Sequence, residues 1–162
     1  MKVGIGFDIH RLMRGEKLIL GGINIPCNYG LKGHSDADVL IHALMDAVLG
    51  ALGRGDIGKL FPDDDDKYKD IDSMILLREV LKLMDKDNYM VNNIDLLVIA
   101  EIPKIEPYRD KILHNLAANI HIARDRINIK ATTMEKLGPI GRKEGIASQA
   151  IVSLIKEEKG EC

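Results

Sequence analysis

The sequence predicts an α+β fold: a single compact domain over residues 1–162, with a mixed sheet covered mainly on one side by helices. Three observations carry this expectation. Val3, Ile5, Phe7 and Ile9 alternate with Gly4, Gly6, Asp8 and His10, the period-two pattern of a half-buried strand. From Ser35 onward the period becomes helical, with Val39, Leu40, Leu44, Val48 and Leu49 as apolar positions. Further along, short β-rich runs and helical runs interleave, as in a layered α+β domain.

The elements follow in order. KLILGG and INIP read as two short strands around Gly21 and Gly22, a hairpin signal. NYGLKGHSD then reads as a loop into the first helix. Ser35, with Asp38 three residues on, resembles a capping box and places the helix start near Asp36. Gly50, Gly53, Gly55 and Gly58 break that helix, and residues 56–66 form an irregular acidic loop. A second helix is expected over residues 73–84, with Ile75, Leu76, Val80, Leu83 and Met84 buried. IDLLVIAE reads as a central strand, and Pro107 opens a third helix to about residue 119. INIKATT is a strand, EKLGPIGRKEG a glycine-punctuated segment, and residues 146–157 a last helix.

Composition narrows the function classes. With 46% hydrophobic residues, 30% charged residues and a net charge of −2, the chain has no basic excess that would point to nucleic acid. No apolar run approaches the length needed to span a bilayer, so no membrane role is expected. Cys27 and Cys162 form neither a CxxC pair nor a disulfide framework, which fits a reducing compartment and a cytoplasmic location. The first strand starts at residue 3, leaving no room for a leader peptide.

The chemistry-bearing pattern is a split ligand set. On a strand, Asp8 and His10 share one face; on the first helix, Asp38, His42 and Asp46 recur every four residues along another. If helix packs on strand, Asp8, His10 and His42 converge from two rigid elements. Two histidines and a carboxylate make a zinc-type set that leaves a coordination position open. His34 and Ser35 fall at the helix's positive end, a natural place for an anion. His114 and His121 have no ligand-like neighbours and read as structural. Taken alone, the Asp63 to Asp66 run is a solvated charge cluster and Glu135 an ordinary loop carboxylate.

GFDIH, DADVLIHALMDAVLGALGRGDIGKLFPD and IKATTMEKLGPIGRKEGIA, in this order and spacing, resemble the 2-C-methyl-D-erythritol 2,4-cyclodiphosphate synthase family along essentially the full chain. The resemblance implies a homotrimer with active sites between neighbouring subunits. It implies conversion of 4-diphosphocytidyl-2-C-methyl-D-erythritol 2-phosphate to the cyclic diphosphate and CMP, in the non-mevalonate route to isoprenoids. Asp8, His10 and His42 would then hold Zn²⁺ or another divalent transition metal. Mg²⁺ or Mn²⁺ would bridge the substrate diphosphate with help from Glu135. His34 and Thr133 match positions assigned to transition-state stabilisation, and Ser35 belongs to the phosphate-binding loop. Asp56, Ile57 and Gly58 with Phe61, Pro62, Asp63, Asp64 and Asp65 match the segment that contacts the methylerythritol part. Ala100, Glu101, Ile102, Pro103, Lys104, Ile105 and Glu106, with Thr132, Thr133, Met134 and Glu135, match the cytidine and diphosphate side. Glu101 and Glu106 stand where apolar or amide residues are often found. The family also implies a cavity on the trimer axis for an isoprenoid diphosphate, near Phe7, Gly138 to Arg142 and Glu144; Pro139 replaces a common aromatic there, which predicts weak or altered binding.

Overall fold

The computed structural model describes residues 1–62 and 65–156. Five strands form one mixed sheet in the order β4-β1-β7-β5-β6, where β1 is Lys2–Arg14, β4 Tyr29–Lys32, β5 Tyr89–Ile99, β6 Ile127–Thr132 and β7 Gly145–Lys156. Among the described residues only the β5–β6 pair is parallel. A small separate hairpin, β2 (Ile19–Leu20) and β3 (Ile23–Asn24), turns at Gly21 and Gly22, as expected.

One face of the sheet carries the helices α1 (Val39–Leu52), α3 (Ser73–Lys86) and α4 (Arg109–Ile120). The core fills the space between them: Leu40, Leu44, Met45 and Leu49 of α1, Leu77 of α3, and Ile94 and Leu96 of β5 are all at 0–1% exposure. Helix α1 comes to rest on β1 because glycine lets it. A Cβ at Gly4 would lie 1.9 Å from the Ala47 carbonyl oxygen, and one at Gly6 1.9 Å from that of Ala43. Any side chain there would lift the helix off the strand.

Four expectations are corrected. Residues 146–157 were expected as a helix, but β7 is a strand paired with β1 on one side and β5 on the other. Its apolar residues satisfy both periods: Ile146, Ala147, Ala150, Ile151, Leu154 and Ile155 make a helical stripe, while Ile146, Ala150, Val152 and Leu154 alternate. Two neighbouring strands offering open ladders decide for the strand. The loop before α1 contains β4, which pairs with the far end of β1. The helix is capped by Asp38, which accepts from the Leu40 and Ile41 amides, not by Ser35. Ile75 is 42% exposed, and Met74, Leu77 and Leu81 join Leu76, Val80 and Met84 in the buried stripe of α3.

Among the described residues no helical layer covers the opposite face of the sheet. Val3, Ile5, Phe7 and Ile9 point there, at 60%, 62%, 53% and 48% exposure, joined by Ile151 at 45%. The alternation of β1 is as the sequence predicts, but its apolar side faces outward and its glycine side faces the core.

Candidate active site and metal centre

Asp8 and His10 continue the glycine side of β1, so they emerge on the helix-covered face just past the close contact with α1. His42, on the first turn of α1, arrives from above. Asp8 Oδ2 lies 3.1 Å from His10 Nε2 and 3.0 Å from His42 Nδ1, and the two ring nitrogens are 3.1 Å apart. One ligand atom from each of the three residues falls within 4.8 Å of the others, and no other such group occurs among the described residues. An oxygen and two imidazole nitrogens on rigid elements, with a side open to a pocket, fit a divalent metal. Burial alone would raise the Asp8 carboxyl, but hydrogen bonds and charge from His10 and His42 outweigh it and hold the group well below the usual carboxylate range. Asp8 therefore stands ionised, as a ligand must.

The other ring nitrogens are engaged outside the cluster. His10 Nδ1 is 3.2 Å from the Lys32 carbonyl, while His42 Nε2 is 3.1 Å from Ser35 Oγ and 3.0 Å from Ser73 Oγ. Such partners orient a ligand ring.

The cluster opens into a pocket of about 270 Å³ lined also by His34, Ser35, Asp46, Ile57, Gly58, Phe61 and Tyr68. His34 is held by an Nε2 contact of 3.3 Å to the Asp65 carbonyl, and its own carbonyl accepts from the Asp70 amide at 2.8 Å. Within the segment expected as an irregular acidic loop, residues 57–60 instead form a short helix, α2 (Ile57–Leu60), because Asp56 caps it by accepting from the Lys59 amide. Asp46 accepts from the Ile57 amide at 2.8 Å and so pins that helix beside the ligands. Burial raises the Asp46 carboxyl, and the charges of Asp56 and Asp8 add to this against the Ile57 amide. Phe61 stacks edge-on against Tyr68 with ring centroids 5.4 Å apart. Pro62 and Asp65 border the same segment, whereas Asp63 and Asp64 lie outside the described residues.

Of the carboxylates expected beside His42, only Asp46 is in the pocket. Asp38 is fully buried, and both its oxygens are used by the amides of Gly21, Gly22, Leu40 and Ile41, tying the β2–β3 hairpin to α1. Burial pushes its carboxyl up to about 6, Asp36 adding its charge, against the amides of Gly22, Gly21 and Ile41.

The remaining sequence-predicted residues gather elsewhere. Ile9, Ala147, Ile99 and Thr132 lie in one row across the sheet, so Thr132 is three strands from β1, roughly 14 Å at the usual strand spacing. Thr133 donates to Glu135 Oε1 at 2.8 Å and accepts from the Glu135 amide at 3.3 Å. Glu101 reaches across from the end of β5 and accepts from the Met134 and Lys136 amides at 3.0 and 3.2 Å. This carboxylate fastens the loop of residues 100–106 to the turn whose Glu135 and Lys136 are left-handed. Ala100 and Ile105 are buried anchors of the loop, Ile102 and Pro103 are half-buried and joined by a cis peptide, and Lys104 and Glu106 are exposed. Arg142 pairs with Glu144 at 2.7 Å on the surface. One chain thus brings Asp8, His10, His34, Ser35, His42, Ile57, Gly58 and Phe61 together and leaves residues 100–106, 132–135 and Arg142 apart from them. Sequence reasoning missed Tyr68, Asp36 and Ser73; a serine opening a helix gave no chemical signal.

An α+β domain with an Asp-His-His ligand set opening on a pocket defines a metal-dependent enzyme. The chain belongs to the YgbB family, whose model matches residues 1–155. It is 53% identical over 161 residues to the 2-C-methyl-D-erythritol 2,4-cyclodiphosphate synthase of Halothermothrix orenii, covering 99% of this chain and 98% of that protein. Among solved structures, IspF of Plasmodium falciparum in complex with CDP superposes with a TM-score of 0.86 at 39% identity, covering 97% of both chains. The bifunctional IspDF of Campylobacter jejuni gives a TM-score of 0.93 at 44% identity over 96% of this chain; the chain spans 42% of that longer protein. Among the described residues no helix is long and apolar enough to cross a membrane.

Proposed function

We propose that residues 1–162 form one catalytic domain that converts 4-diphosphocytidyl-2-C-methyl-D-erythritol 2-phosphate to 2-C-methyl-D-erythritol 2,4-cyclodiphosphate and CMP. The observation that carries the proposal is the convergence of Asp8, His10 and His42 at the mouth of a pocket, in a chain whose relatives bear that enzyme's name. In the reaction an oxygen of the 2-phosphate forms a bond to the β-phosphorus while the bond from that phosphorus to the bridging oxygen breaks, and CMP leaves with that oxygen. The attacking phosphate is already ionised, so the protein's work is to fold the substrate and hold its charges.

Zn²⁺, or a similar divalent metal, on Asp8, His10 and His42 would act as a Lewis acid toward a phosphate oxygen, and Mg²⁺ or Mn²⁺ beside Glu135 would neutralise the diphosphate. His34 and Ser35 line the same pocket and can donate to phosphate oxygens. Asp56, with the backbone of Ile57 and Gly58, faces the hydroxyls of the methylerythritol part, and Phe61, Pro62 and Asp65 bound it. Residues 100–106 and 132–135 receive the cytidine and diphosphate, with Thr133 near the reacting phosphates and Lys104 as a cation that can pair with phosphate. The CDP bound to IspF of Plasmodium falciparum supports a nucleotide ligand.

The separation of the two residue groups across the sheet, and the bare apolar face of Val3, Ile5, Phe7, Ile9 and Ile151, support a homotrimer in which one subunit's β5–β6 loops complete its neighbour's pocket. Phe7 and the Arg142 segment would then border an axial cavity for an isoprenoid diphosphate, bound weakly because Pro139 offers no aromatic face. A reducing, cytoplasmic setting suits the free Cys27.

Phosphorus NMR of the protein with substrate and Mg²⁺, against a chelator-treated control, tests the reaction. Metal-dependent CMP and a cyclic diphosphate are expected; linear phosphate products would mean a hydrolase, and no turnover by zinc-loaded protein would end the proposal. Sedimentation should show a trimer, and a fully active monomer would refute the shared site.

A further inference from the structure

Resting on the metal reading above, we infer that Ser73 and Asp36 are positioning residues that set the tautomer of His42 and so determine how strongly the site holds its metal. Ser73 opens α3 and is completely buried, and His42 is 7% exposed, so neither relies on bulk water for partners. The Ser73 hydroxyl donates a short hydrogen bond to Asp36 Oδ1, and the Ser73 amide donates to Asp36 Oδ2 at 3.0 Å. An ionised carboxylate only accepts, so it claims the single hydroxyl proton of Ser73.

The remaining polar contact of Ser73 Oγ, 3.0 Å from His42 Nε2, must therefore be one in which the serine accepts. Nε2 then carries the proton, and a neutral ring has its lone pair on Nδ1. Nδ1 is the atom 3.0 Å from Asp8 Oδ2 and 3.1 Å from His10 Nε2. His10 reaches the same outcome in the opposite tautomer, because the Lys32 carbonyl can only accept from its Nδ1–H, which puts the lone pair on Nε2. Two rings in opposite tautomers thus aim both lone pairs at one point.

Ser35 Oγ is also near His42 Nε2, at 3.1 Å, and accepts from the Ala37 amide at 3.3 Å. It differs from Ser73 in that, among the described residues, no carboxylate claims its proton. With Ser73 as the acceptor for His42, the Ser35 hydroxyl proton is left for a phosphate in the pocket that Ser35 lines. Asp36 also joins distant segments: its Oδ1 accepts from the Asp38 amide at 3.2 Å, and its own amide donates to the Ile71 carbonyl at 3.1 Å. The start of α3 and the loop before α1 are therefore locked together where the ligand ring enters.

Long-range proton–nitrogen NMR of metal-stripped, histidine-labelled protein reads the tautomers directly, and chelator competition gives the Zn²⁺ affinity. Wild type is expected to show His42 protonated at Nε2. Ser73→Ala should give a mixed His42 tautomer and an affinity about 10–100-fold weaker, the usual cost of losing a ligand's outer partner. Asp36→Asn should move both readouts the same way, and Ser73→Thr, which keeps the hydroxyl, should restore them. Wild-type His42 protonated at Nδ1, with normal Zn²⁺ binding, overturns this inference alone and needs no variant to fold. Unchanged tautomer and affinity in Ser73→Ala overturn it too, whereas a wild-type protein that fails to bind Zn²⁺ removes the metal reading beneath it.

Discussion

The two faces of β1 follow opposite rules although they belong to one strand. On one side Gly4 and Gly6 give up their side chains so that the α1 backbone can approach, and Asp8 and His10 then take positions where His42 can meet them. On the other side Val3, Ile5, Phe7 and Ile9 are apolar and 48–62% exposed. The small residues face the core and the large ones face outward, the reverse of what burial by size would suggest. A strand can be apolar on its outer side without loss of solubility if another layer covers it in the assembly.

The largest effect should come from breaking the glycine side. Gly6→Ala puts a methyl 1.9 Å from the Ala43 carbonyl, an overlap only backbone movement can relieve. We expect a loss of about 3 kcal/mol or more in urea unfolding, with metal affinity falling because His42 shifts away from Asp8 and His10. A variant with wild-type stability and Zn²⁺ binding would show that the close approach is not what places the ligands.

Asp38 anchors the same side and is next in size. Asp38→Ala leaves the buried amides of Gly21, Gly22, Leu40 and Ile41 without their acceptor, an expected cost on the order of 3 kcal/mol at pH 4. Its pH dependence has a definite sign. Because burial raises the folded pKa from 3.8 to about 6, the stabilisation tied to the protonated group is fully present below about pH 3.8 and is lost as pH rises through 6. The gap between wild type and variant should therefore narrow between pH 4 and pH 7 in parallel denaturant titrations; a gap that widens would contradict the burial argument.

His42→Ala separates chemistry from architecture on this face. It removes one ligand while the Gly4 and Gly6 contacts and the Asp38 cap stay intact, so thermal melting of the metal-free protein should change by only a few degrees. Zn²⁺ occupancy and turnover should both be lost, and full occupancy with normal turnover would remove the cluster from the mechanism.

The smallest effect on the chain's own fold belongs to the outer side. Ile5 is 62% exposed, so Ile5→Asp is expected to cost under about 1 kcal/mol within one subunit. Its effect should fall on assembly: sedimentation should show dissociation, and CMP release should fall with it although all three ligands remain. An Ile5→Asp protein that stays assembled and active would mean this face is not the interface.

Much of the candidate site is legible in the residues themselves. DxH on an alternating strand and a histidine on a helix stripe name the candidate ligands, because strand and helix periods are local properties of neighbouring side chains. The helices α1, α3 and α4, the central strand β5 and the strand β6 are readable for the same reason. Tertiary structure decided what local period cannot. The IASQAIVSLIK segment fits a helix and a strand equally, and it became β7 because β1 and β5 present unpaired backbone on either side of it. Alternation divides β1 into two faces, yet only the contact of Gly4 and Gly6 with Ala47 and Ala43 tells which one is inside. Asp38 and Asp46 sit two helical turns apart on one stripe, but one is sealed beneath the hairpin and the other opens to the pocket. Asp36 and Ser73, 37 positions apart, acquire a role only where folding brings a carboxylate, a hydroxyl and an imidazole into one line of hydrogen bonds, since such a chain is a property of packing and not of sequence spacing.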